Sequence, residues 1–130
     1  MKILVGYDGS NVAKEAIELA VKYAKVSKAE IILAHSMFGG PEVPRKDFET
    51  AENHLTYEKN RLLDQKIACE SILSVRGLEA GEDLVQLAKE NNVDEIIIGV
   101  RRRSKVGKLF FGSTAQYVIL NAPCPVVSVK

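Results

Sequence analysis

Four short apolar runs recur along the chain, at residues 3–5, 31–34, 96–100 and 126–129, with helix-length stretches between them. Runs of this kind read as strands buried on both faces. A fifth, weaker strand pattern lies around residues 71–75. Each intervening stretch carries an amphipathic stripe. Ala13, Ala16, Ile17, Ala20, Val21 and Ala24 form the first; Phe48, Ala51, Leu55 and Leu62 form the second. Leu84, Leu87 and Ala88 form the third, and Ala115, Val118 and Ile119 the fourth. The order is β-α-β-α-β-α-β-α-β. Strict alternation of this kind predicts right-handed crossovers and a parallel open sheet with helices on both faces, an α/β fold.

The 130 residues correspond to one domain, spanning residues 1–130. Lys and Arg total 18 against 17 Asp and Glu, a net charge of +1, which argues against a polybasic nucleic-acid binder. No apolar run approaches the roughly 20 residues needed to cross a bilayer. Met1-Lys2 leads into an apolar run too short for the core of a signal peptide. The two cysteines, Cys69 and Cys124, cannot build a disulfide framework, and no Cys/His cluster has zinc spacing. Both thiols are expected to be free in a reducing cytoplasm. Trp is absent and aromatics are 6%, so stacking platforms for single-stranded nucleic acid are poorly supplied.

Charge is unevenly spread, however. Arg101, Arg102, Arg103, Lys105 and Lys108 put five basic residues into eight positions, directly after the fourth strand pattern. Open α/β sheets bind ligands outside the carboxyl ends of their strands, where the strand order reverses. Ser113 and Gln116 have capping-box spacing, so a helix is expected to start at Ser113. Its free amides and dipole favour an anion. Gly99 and Gly112 would admit a ligand close to the backbone. These features make a phosphate site chemically; the plain alternative is a solvated basic loop between two turn glycines. A second long connection, residues 37–46, contains Gly39-Gly40-Pro41 and Pro44 and reads as a flap or a simple loop.

Gly99 and Gly112-Ser113 have the total spacing of the motif G-x2-G-x9-G-[S/T], which resembles the signature of the universal stress protein family. The opening Ile3-Leu4-Val5-Gly6-Tyr7-Asp8-Gly9-Ser10, the segment Ala34-His35-Ser36 and the closing Ala122-Pro123-Cys124-Pro125-Val126-Val127 extend the resemblance over nearly the whole chain. It implies the adenine nucleotide alpha hydrolase-like fold, a five-stranded parallel sheet of order 3-2-1-4-5 with the first and fourth strands adjacent at the switch point. It also implies a stress-response regulator or sensor that binds ATP, ADP or AMP there, with Mg2+ held by the phosphates. Carried over by position, Asp8 would contact the adenine or ribose, Gly6 and Ser36 would line the base pocket, and Ile98 would pack on the base. Gly99 would lie near the ribose and phosphates, and Gly112, Ser113 and Thr114 would bind phosphates. The family commonly dimerises through the last strand, and the apolar run 126–129 would be an exposed sheet edge. The partners implied are therefore an adenine nucleotide and a second copy of the chain, with neither membrane nor nucleic acid.

The departure from the motif is Arg102, which stands where the second glycine is expected. Its side chain either narrows the pocket or forks onto a phosphate. The first case leaves a nucleotide-free dimeric interaction module of the same fold. Asp8-Gly9-Ser10 also reads as a plain strand-to-helix turn with Ser10 as N-cap. His35 reads as a satisfied packing histidine. No Ser/His/Asp elbow and no Walker A sequence is present, which argues against a dedicated ATPase and leaves slow turnover open.

Overall fold

The computed structural model describes residues 1–100 and 112–130. β1 (Lys2–Gly6), α1 (Asn11–Ser27), β2 (Glu30–Met37), α2 (Arg45–Asp64) and β3 (Cys69–Val75) come first. They are followed by α3 (Ala80–Glu90), β4 (Glu95–Gly99), α4 (Ser113–Asn121) and β5 (Val126–Val129). All four strand pairings are parallel, and the sheet order is β3-β2-β1-β4-β5. The expected topology is therefore present, with the reversal between β1 and β4.

Two apolar layers hold this sheet. On one face Ile3, Val5, Ile31, Leu33 and Ile97 meet α1 and α2. On the other, Leu4, Ile32, Ala34, Ile96 and Ile98 meet α3 and α4. Consecutive residues of a strand point to opposite faces, which is why the central strands are apolar throughout. In α1, the expected stripe of Ala13, Ala16, Ile17, Ala20, Val21 and Ala24 is the buried face. Four alanines there let the helix sit close against the sheet.

Some expectations need correction. β5 is only half-buried, because as an edge strand it has a neighbour on one side alone. In α4 only Ala115 and Val118 are buried, and Ile119 is 44% exposed. A nine-residue helix at the margin of the sheet covers too narrow a strip to bury a third position. The long connection after β2 shortens to residues 38–44, since β2 runs on to Met37 and α2 starts at Arg45. In α2 the buried positions are Ala51, Leu55, Glu58 and Leu62. Phe48 is half-buried, and a carboxylate has joined the stripe.

Candidate functional site

In a parallel α/β sheet every strand delivers the chain to the same end before a helix begins. The carboxyl ends of β1, β2 and β4 and the starts of α1, α3 and α4 therefore share one side of the molecule. The turn after β1 is fixed locally. Asp8 Oδ1 accepts from the Ser10 amide at 2.9 Å, Gly9 takes a φ of 83°, and Ser10 Oγ caps α1 by accepting from the Ala13 amide. The Ser10 cap read from sequence is present, and Asp8 has a structural task in this turn.

Gly6 and Ile98 point to the same face. A Cβ on Gly6 would lie 3.1 Å from Leu84 Cδ1 and 3.3 Å from Ile98 Cγ2. Ser36 lies on that face too, and its hydroxyl donates to Asp83 Oδ2 at 2.6 Å. Gly99 is different. A Cβ there would fall 2.7 Å from Val12 Cγ1 and 2.9 Å from the Val12 carbonyl carbon and oxygen. The close backbone approach that Gly99 permits is to the start of α1.

At α4 the expected capping box is not formed. Gly112, not Ser113, is the N-cap, and among the described residues no side chain caps the helix. Ser113 is the first helical residue, so its hydroxyl stands one position too late to cap. Gly112 and Ser113 are exposed and Thr114 is half-buried. The first turn of any helix leaves its amides without intrahelical partners, at the positive end of the helix dipole. Arg102 and the rest of the basic cluster, from Arg101 to Lys108, lie outside the described residues.

Sequence reasoning missed the polar network beneath this surface. Asp83 on α3 is fully buried. It accepts from Ser36, from Ser74 and from Arg76 Nε, the last at 2.6 Å. Arg76 then forks onto Glu90, with bonds of 3.1 and 2.9 Å. Burial pushes the Asp83 carboxyl up, but the hydrogen bonds from Ser36, Ser74 and Arg76 outweigh it and hold the group below its ordinary value. The signal was present in the sequence. Asp83 lies four residues before Leu87, on the buried stripe of α3.

His35 packs against the edge of the Tyr7 ring, at 6.5 Å between centroids. It is not fully satisfied, because its buried Nδ1 has no partner among the described residues. Burial pushes its pKa down, favouring the neutral ring. Among the described residues no group of His, Cys, Asp and Glu is placed to hold a metal ion. Both cysteines are free. Burial raises the Cys69 thiol to about 11, and Cys124, half-buried, is also raised by burial. Iodoacetamide at about pH 8 should therefore label Cys124 first and reach Cys69 only on unfolding, since the thiolate is the reactive form. Peptide mapping of the labelled protein checks this, and equal labelling of both would contradict it.

The model of the Universal stress protein family matches residues 1–130. The chain belongs to the universal stress protein family. A universal stress protein of Thermus aquaticus is 32% identical over 134 residues, covering 98% of this chain and 97% of that protein. The structure of a universal stress protein from Archaeoglobus fulgidus superposes with a TM-score of 0.90 at 34% identity, covering 100% of this chain and 98% of that one. A second structure from that organism, solved in complex with dAMP, gives a TM-score of 0.84 at 30% identity, with coverage of 100% and 98%. The fold is thus the adenine nucleotide alpha hydrolase-like fold of universal stress proteins. Among the described residues no helix is long and apolar enough to cross a membrane.

Proposed function

We propose that this universal stress protein binds an adenine nucleotide at the carboxyl ends of β1 and β4. Binding would serve a regulatory or sensing role in the stress response, in the cytoplasm. The carrying observation is the start of α4, which no side chain among the described residues caps, with Gly112 and Ser113 exposed, on the carboxyl-end side of the sheet. The amides of a helix's first turn suit a phosphate. The dAMP complex of a full-length relative at 30% identity supports the same ligand class. In this reading Gly6, Ser36 and Ile98 surround the base and Asp8 meets the adenine or ribose. Gly99 lies near the sugar, and Gly112, Ser113, Thr114 and Arg102 take the phosphates. ATP, ADP and AMP are the candidates, with Mg2+ carried by the phosphates rather than by a protein cluster. No hydrolytic role is assigned.

Two measurements test this. Nucleotide released by heating the purified protein should appear on ion exchange, or calorimetric titration with AMP, ADP and ATP should show saturable heat. Asp8→Ala should weaken binding about tenfold, the loss of one hydrogen bond to a polar ligand group, about 1.4 kcal/mol. No bound nucleotide and no heat with any of the three would leave the nucleotide-free interaction module as the reading.

The protein is further proposed to be a homodimer through β5. That strand is a sheet edge, and Val126, Val127 and Val129 are only half-buried. Ile119 and Leu120 beside it are 44% and 80% exposed. Light scattering should give twice the chain mass of 14.3 kDa. The carbonyls of Pro125 and Val129 accept from β4, so by strand alternation Ser128 turns its amide outward. Ser128→Pro removes an outward donor and leaves the β4 ladder intact, and should yield a folded monomer. A dimer that survives this change places the interface elsewhere.

A further inference from the structure

Around Gly6 the neighbours are apolar. Leu84 and Ile98 crowd it, and Ala34 lies beside it on β2. Ser36 is two residues beyond Ala34, so its side chain leaves the sheet on the same face. It is half-buried and brings a hydroxyl to this apolar surface. In such a site one polar group of fixed sense selects among ligands, because a mismatched ligand leaves it unpaired.

The sense of this hydroxyl is fixed from behind. Ser36 Oγ donates to Asp83 Oδ2 at 2.6 Å, the short length typical of a hydroxyl on an ionised acceptor. The Asp83 side chain is 1% exposed, and Arg76 Nε donates to its other oxygen, Oδ1, at 2.6 Å. Hydrogen bonds from Ser36, Ser74 and Arg76 outweigh burial and keep the carboxyl below its ordinary value, hence ionised at neutral pH. An ionised carboxylate only accepts, and a hydroxyl carries one hydrogen. The Ser36 hydrogen is therefore committed to Asp83. Only lone pairs remain for a ligand.

We propose, resting on the nucleotide reading above, that Ser36 and Asp83 together select a purine with an amino group at C6. Ser36 Oγ accepts from that amino group. Asp83 is a positioning residue: it sits behind the serine and sets which way the hydroxyl hydrogen points. A 6-oxo purine would set oxygen lone pairs against oxygen lone pairs. A purine with hydrogen at C6 offers no donor there. Amino and oxo groups are close in size, so the discrimination comes from hydrogen-bond sense rather than from shape.

Calorimetric titration with the mono- and triphosphates of adenosine, inosine and purine riboside tests the proposal. In the wild type the adenosine forms should bind at least about tenfold more tightly than the other two. Ser36→Ala should bring the adenosine and purine riboside forms to within about threefold of each other. Asp83→Asn carries a positive signature. Arg76 requires an acceptor at the Oδ1 position, so the new carboxamide turns its NH2 toward Ser36. The serine hydroxyl must then accept from it and point its own hydrogen at the ligand. The preference should invert, with the inosine forms binding more tightly than the adenosine forms. A ratio of affinities within one variant does not depend on that variant's stability, so a purely structural role for Asp83 would not move it. If Asp83→Asn fails to fold, Ser36→Ala decides alone. Three results overturn the proposal while leaving nucleotide binding intact: equal wild-type affinity for the adenosine and purine riboside forms, an adenosine preference that survives Ser36→Ala, or one that survives in folded Asp83→Asn. No heat with any of the six compounds overturns the nucleotide reading, and this proposal with it.

Discussion

Asp83→Ala should lower the unfolding free energy by about 3 kcal/mol, read from urea denaturation, and the melting temperature by about 10 °C. The carboxylate ties three elements together: Ser36 on β2, Ser74 on β3, and Arg76 in the turn leading to α3. Arg76 keeps Glu90 after the substitution, and its side chain is 34% exposed, so the loss stays below the upper range for a broken buried pair. The two serine hydroxyls lose their acceptor on the sheet. Because Ser36 is proposed to line the base pocket, nucleotide affinity should fall with the stability.

The same residue predicts a pH effect of definite sign. Its folded carboxyl lies below the ordinary value, so the folded state binds this proton less readily than the unfolded chain. The stabilisation is complete above the unfolded Asp value of about 4. It drains away as the pH falls through the lower folded value. Between about pH 5 and pH 2 the wild type should therefore lose stability more steeply than Asp83→Ala, as the other carboxylates titrate in both. Parallel curves for the two proteins would show that Asp83 is not held ionised by its partners.

The layering of this protein was legible because its apolar pattern is redundant. Six small or branched residues on α1 repeat at helical spacing, and all six are buried. The runs at β1, β2 and β4 have no polar residue to set a competing register. What stayed hidden depended on single side chains. Glu58 and Asp83 both sit at core spacing, Glu58 between Leu55 and Leu62 and Asp83 before Leu87, but spacing alone does not mark a carboxylate as buried. A charge is buried only when a partner from elsewhere in the fold arrives, and Arg61 and Arg76 cannot be assigned to those roles from spacing. Ser113 shows another limit. Capping-box spacing placed the helix start correctly, but Gly112 adopted the extended N-cap conformation and displaced the serine by one. The site residues on β1 and β4 were found by motif, and the structure adds a packing reason for Gly99 that the motif does not contain.

That reason gives the second large effect. Gly99→Ala should destabilise by about 3 kcal/mol, a melting-temperature drop of about 10 °C. The new methyl would meet Val12 Cγ1 at 2.7 Å and the Val12 carbonyl carbon and oxygen at 2.9 Å. The side-chain contact can be relieved by trimming the valine, but the backbone contact cannot. Val12 lies in the first turn of α1, directly after the Asp8-Gly9-Ser10 turn, so relief requires α1 to move away from β4. The double variant Gly99→Ala, Val12→Ala should therefore recover only part of the loss, with the remainder reporting the backbone clash. Displacing α1 also shifts Ser10 and the Asp8 turn it anchors, so nucleotide binding should weaken in both variants beyond what Val12→Ala does alone. Full recovery in the double variant would mean that side-chain crowding alone makes glycine necessary here. An unchanged melting temperature in Gly99→Ala would mean that α1 is not held against the end of β4.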